Sequence, residues 1–120
     1  MRYPYQSNGN AVVKMTFTFS LDIMKLCGQL DSDKKYAYSN QLFRSGTGIG
    51  ANVMEAQNAE SRADFAHKMK MAAKEAEETE YWLLLGDQSS GFPDMSTYIE
   101  ALEQIKKILN SIIRTTKTGQ

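Results

Sequence analysis

A single cysteine, a single histidine and two prolines stand among 120 residues. Cys27 has no second thiol to pair with, so no intramolecular disulfide holds this chain. A lone thiol among apolar neighbours reads as a buried cytosolic cysteine rather than a nucleophile. His67 has no second imidazole with which to share a metal. The carboxylate-bridged metal sites of helical bundles need two Glu-x-x-His pairs, and Asp64 with His67 offers one Asp-x-x-His. Pro4 and Pro93 lie outside the long periodic segments, which leaves those segments free to be helical. An excess of one charge is also lacking, because 14 Lys and Arg face 14 Asp and Glu. Nothing in that balance draws the whole molecule toward nucleic acid or an anionic membrane. No run approaches the roughly 18 apolar residues of a membrane span, and the first residues lack the basic start and apolar block of a signal peptide. The expectation is a soluble cytoplasmic protein of one domain, large enough to bury about two thirds of its unfolded surface.

What is present is helical periodicity. Residues 1–14 read as an extended arm, with Asn8-Gly9-Asn10 as a turn. Val13, Met15, Phe17 and Phe19 alternate with Lys14, Thr16 and Thr18, a strand-like period of two that predicts a short extended lead-in. Phe19, Ile23, Leu26 and Leu30 then fall on one helical face and predict a helix over about 16–30. Leu42, Gly46, Ile49, Val53 and Ala56 predict a second over 36–56. Ser61 and Asp64 resemble a capping box ahead of Phe65, Met69, Ala72, Ala76 and Leu83, a third helix over 61–86. "GDQSSGFPD" turns the chain, and Leu102, Ile105, Leu109 and Ile112 form the seam of a fourth over 95–116. The expected fold is all-α: one domain over 1–120, an antiparallel up-down-up-down four-helix bundle with a short extended N-terminal lead-in.

The stretch Ser45–Ala51, "SGTGIGA", formally satisfies the G-x-G-x-x-G/A pattern of a phosphate-cradling loop. That loop needs a strand before the glycines and a helix after them. Here the preceding residues keep helical spacing, and no lysine follows until Lys68. Gly46 and Gly50 stand one turn apart, which suits close approach of a neighbouring helix. Each costs up to about 1 kcal/mol of helix propensity relative to alanine, so packing must offset it. Arg44, Gly48, Asn52 and Glu55 make a polar stripe on the other face, and Phe43, Gly50 and Met54 flank it. A helix that is apolar or small over so wide an arc sits centrally or contacts another subunit, and a four-helix bundle has no central member. Arg44, Gly46, Gly50, Asn52, Glu55 and Glu78 are therefore the expected helix-packing and oligomer-interface residues, with Glu78 the expected partner of Arg44.

Glu75, Glu77, Glu78 and Glu80 read as a solvated face, since general acid–base work would require a pocket. Lys68, Lys70 and Lys74 form one basic stripe, and Lys106, Lys107, Arg114 and Lys117 a second. These are the candidate phosphate contacts, although a solvated surface weighs more heavily. No catalytic, metal or cofactor site is expected.

The segment "LFRSGTGIGANVMEAQNAESRADFAHKMKMAAKEAEETEYWLLL" (42–85) resembles the four-helix-bundle family of the 23S rRNA intervening-sequence protein. Arg44, Ser45, Ile49, Asn52 and Glu55 match its first block; Ser61, Asp64 and Phe65 its second; Glu78, Thr79, Tyr81, Trp82 and Leu83 its third. "NAVVKMTFTFSLDIMKL" (10–26) is similar to its N-terminal segment. Gly46, Gly48 and Ala56 depart from the family's usual alanine, serine and glycine. The resemblance implies an up-down bundle that assembles into a ring-like homopentamer with no enzymatic activity. It also implies kinship with the accessory variability determinant of diversity-generating retroelements, a basic barrel that binds reverse transcriptase and nucleic acid. The expected function is a non-enzymatic, pentameric scaffold or adaptor whose partner is itself, with RNA or another protein beyond it and no membrane. The alternative is an RNA- or DNA-binding protein, rRNA- or ribosome-associated, acting through multivalent weak basic patches.

Overall fold

The periodicities resolve into four helices in a computed structural model that describes residues 10–117: α1 (Ala11–Ser32), α2 (Tyr36–Ala56), α3 (Arg62–Asp87) and α4 (Ser96–Lys117). Each helix packs on the next, and α4 closes against α1. Among the described residues neither diagonal pair brings its backbones within 8 Å, so the bundle is a square of antiparallel neighbours. The α1–α4 seam is the most thinly packed side. None of these helices is long and apolar enough to cross a membrane.

The core is built from one stripe per helix, as side chains spaced three and four apart require. Ile23 and Leu30 of α1, Leu42 and Ile49 of α2, Met69 and Leu83 of α3, and Leu102 and Leu109 of α4 are essentially fully buried. Ser61 accepts the Asp64 backbone N–H at 3.0 Å and so caps α3. The Asp64 carboxylate reaches back to the Glu60 N–H at 3.2 Å, nearly closing the capping box. Asp94 accepts from the Ser96 N–H at 2.9 Å at the start of α4, and the Ser96 backbone and then its hydroxyl hold the Asp94 carboxyl below the usual carboxylate range.

The extended lead-in is corrected by the structure over residues 11–14, which are helical. Residues 1–9 of the expected arm lie outside the described residues. Asn10 caps α1 by accepting the Val13 N–H at 3.3 Å. Thr16, counted as a polar member of the alternation, is buried. Its hydroxyl donates to the Val12 carbonyl at 2.8 Å, which satisfies it inside the helix itself. Val12, Val13, Thr16, Phe19 and Ile23 are then one buried face. The period of two arose because α1 carries apolar side chains on a second, outer face as well.

Gly46 and Gly50 both face α1. A Cβ on Gly46 would stand 3.0 Å from Ile23 Cγ2, and one on Gly50 would stand 3.2 Å from the Thr16 carbonyl oxygen. Ile23 is fully buried and has nowhere to retreat. Gly46→Leu should therefore lower the unfolding free energy by about 1–3 kcal/mol through overpacking, despite its better helix propensity. Urea denaturation followed by circular dichroism measures this, and an unchanged midpoint would mean that the α1–α2 spacing does not depend on Gly46.

Candidate interaction surface

The polar stripe of α2 meets α3 of the same chain. Arg44 spans two carboxylates, pairing with Glu78 and lying 3.5 Å from Glu75. Glu78 also accepts the Trp82 indole N–H at 3.0 Å. Gly48 stands beneath Glu75, whose Oε2 would be 2.6 Å from any Cβ there. Farther along, Glu55 accepts from Lys68 at 3.0 Å, which raises the Lys68 pKa. Asn52 makes no cross-helix hydrogen bond among the described residues; its amide donates to the Gly48 carbonyl one turn back at 2.9 Å.

The glutamate run of α3 is divided between two neighbours and is not a uniformly solvated face. Glu75 and Glu78 point to Arg44 on α2, while Glu77 and Glu80 take Lys106 of α4 at 3.1 and 3.0 Å. Burial pulls the Lys106 pKa down, but the hydrogen bonds to Glu80 and Glu77 more than offset it and the net shift is upward. Of the candidate phosphate contacts, Lys68 and Lys106 are thus committed to carboxylates. Lys70, Lys74, Lys107 and Arg114 are exposed, with no ion-pair partner within 4 Å among the described residues. The Lys117 side chain lies outside those described.

An aromatic cluster that the periodicity gave no hint of closes the other end. Tyr38 stands edge-on to Trp82 and Phe92, with ring centroids 6.0 and 4.8 Å away, and donates its hydroxyl to the Trp82 carbonyl. Gly86 lies inside α3 and does not end it: a Cβ there would collide with the Tyr38 hydroxyl and stand 2.9 Å from Met95 Cε. The one available signal was Gly86 itself, the first residue of the expected turn, which reads equally well as a helix stop. Cys27 is buried, and burial pushes its thiol pKa up, away from nucleophilic use. No group of three or more His, Cys, Asp or Glu among the described residues could hold a metal ion.

Large apolar side chains remain exposed in two groups. Leu21 and Met24 of α1 and Tyr36 and Phe43 of α2 are 43–55% exposed. Between these two helices runs a groove of about 320 Å³, lined by residues that include Met24, Phe43, Thr47 and Met54 and carrying no charged side chain. The second group, Met71, Tyr81, Leu84 and Leu85, lies on α3. A separate groove of about 380 Å³ follows the thin α1–α4 seam, with Met15, Phe19 and Ile105 between Lys14 and Asp22.

Two outcomes test the polar and aromatic contacts. Glu78→Ala should cost more stability than Glu75→Ala, by about 1 kcal/mol, because it releases both Arg44 and the indole N–H. It should also shift the emission of Trp82, the sole tryptophan; equal effects from both variants would argue against the indole contact. Burial, and after it the Cys27 charge, pushes the Tyr38 pKa from 10.0 up to about 12. The folded state therefore favours the neutral phenol, so its contribution is complete below pH 10 and is lost as pH rises through about 12. An absorbance titration should show one late tyrosine that Tyr38→Phe removes.

Residues 8–114 match the family model described as 23S rRNA-intervening sequence protein. A similar solved structure is a protein of unknown function from the S23 ribosomal protein family of Bacteroides thetaiotaomicron VPI-5482, at 1.70 Å resolution. It is 40% identical with a TM-score of 0.84, and the match covers 88% of this chain and 100% of that one. No curated protein matches the chain. With four antiparallel helices, a match over nearly its whole length and a close structural counterpart, this chain belongs to the 23S rRNA-intervening sequence protein family.

Proposed function

We propose that this protein is a non-enzymatic, homo-oligomeric helical scaffold or adaptor that acts in the cytoplasm. The observation that supports this is the uncharged groove between α1 and α2, lined by Met24 and Phe43, with Leu21 and Tyr36 also exposed on those two helices. Contiguous apolar patches of this kind mark interaction surfaces. Full burial of one such side chain is worth about 1.5–3 kcal/mol, so covering several of them can drive association. Its working unit is a ring, and the family resemblance implies five subunits. A cyclic ring with head-to-tail contacts needs two different patches per subunit, and the second group on α3 supplies the other. In this reading the ion pairs of Arg44, Lys68 and Lys106 set the shape of each subunit, and the apolar faces join subunits.

A second reading, RNA or DNA binding, rests on the family's association with rRNA and ribosomal protein and on the exposed Lys70, Lys74, Lys107 and Arg114. Repetition of a weak basic patch around a ring would strengthen it without new contacts. Retention on structured RNA that falls steeply with salt would favour this reading, and no retention at low salt would remove it.

Light scattering at micromolar concentration should give about five times the 13.5 kDa mass of one chain. Phe43→Glu, which puts a charge on the uncovered face, should reduce that mass while leaving the helical spectrum unchanged. A clean wild-type monomer would sink the scaffold reading.

A further inference from the structure

The two exposed apolar groups share a spacing. On α1, Leu21 and Met24 are three residues apart, and Asp31 follows seven beyond. On α3, read in the opposite direction, Leu84 and Tyr81 are three apart and Lys74 follows seven beyond. Steps of three and seven are near whole turns, so each trio lies along one side of its helix. Leu21, Met24, Tyr81 and Leu84 are 46%, 50%, 59% and 48% exposed. Asp31 and Lys74 are exposed too, and neither has an opposite charge within 4 Å among the described residues. Beside Asp31, the charges of Asp33 and Lys34 offset each other, and the Lys35 ammonium is held over the Phe92 ring at 4.7 Å.

We propose that α3 of a second copy of this chain lies antiparallel along the outer face of α1. In this register Leu84 meets Leu21, Tyr81 meets Met24, and Lys74 meets Asp31. The inference rests on the homo-oligomer reading above and names the surfaces that make it. Direction is set by charge: α1 runs from apolar to acidic, α3 from basic to apolar, and only the antiparallel arrangement pairs both ends. The neighbouring α1–α2 groove, with Phe43 on its far bank, receives the Tyr81 side of the incoming helix.

Gly28 is the independent observation. It lies exposed between Met24 and Asp31, one turn before the C-terminal end of α1, where glycine still weakens a helix. A Cβ there would meet nothing within 4 Å, so packing inside the chain gives it no reason, unlike Gly46 and Gly50. The same register sets Gly28 opposite Glu77, a long side chain already directed at Lys106, and the missing Cβ leaves room for it. The two surfaces differ, so the contact is head-to-tail: every subunit offers one helix and receives one, and the series ends only by closing into a ring.

Sedimentation velocity on the full chain and its variants tests this. Asp31→Lys and Lys74→Glu should each weaken self-association at low salt by roughly threefold or more, and the double variant should recover it. Gly28→Gln should keep or raise the melting temperature of the chain yet weaken assembly. Leu21→Glu and Leu84→Glu should each give folded monomers by circular dichroism, and mixing them should give a heterodimer, because one intact helix and one intact groove remain. A wild-type monomer would overturn the homo-oligomer reading and this register with it. A wild-type oligomer unaffected by Leu21→Glu and Leu84→Glu, or charge variants that do not recover when combined, would overturn this register alone.

Discussion

The distance between α1 and α2 governs the rest of the bundle. Gly46 brings the α2 backbone onto Ile23, and Gly50 brings it onto the Thr16 carbonyl, so the two helices lie closer than a Cβ at those positions would allow without a shift. That approach turns Arg44, Gly48 and Glu55 toward α3 and leaves Phe43 and Met54 beside Met24 on the outside. The polar clamps and the uncovered apolar groove thus share a cause. A wider α1–α2 spacing would change which side chains of α2 reach solvent and would alter both.

Electrostatics in this chain work locally. Zero formal net charge conceals two clamps in which paired carboxylates of α3 hold one cation each, Arg44 on one side and Lys106 on the other. Arg44 is half-exposed, so solvent screens its pairs and they contribute little to stability on their own. Their larger effect is on position, because they hold α3 between its neighbours and orient Trp82 through Glu78. They also withdraw Lys68 and Lys106 from the pool of charges able to meet a phosphate. Family membership agrees with this arrangement of helices and leaves function to be argued from surfaces.

The last three helices were legible because each buries one stripe of three-four spacing, and α2 has the bounds its periodicity predicts, Tyr36–Ala56. The first helix was not legible at its start. Its apolar residues serve two faces, one in the core and one on the surface, and two superposed helical stripes imitate a period of two. Gly86 and Phe92 were equally opaque, since a glycine that makes room for a tyrosine from another helix looks in sequence like a glycine that ends one.

Local sequence alone determined the class of fold, the helix count and the core stripes, because hydrogen bonding within a helix and burial of one face are set by residues a few positions apart. It also raised the Arg44–Glu78 pairing as an expectation. Only the tertiary structure decided what "SGTGIGA" is for: Gly46 and Gly50 admit α1 of the same chain, while Gly48 makes room for a carboxylate of α3. It likewise separated the glycines with a neighbour from Gly28, which has none. The reason is geometric, since a missing Cβ gains meaning only from the atoms that stand where it would have been, and those come from distant parts of the chain.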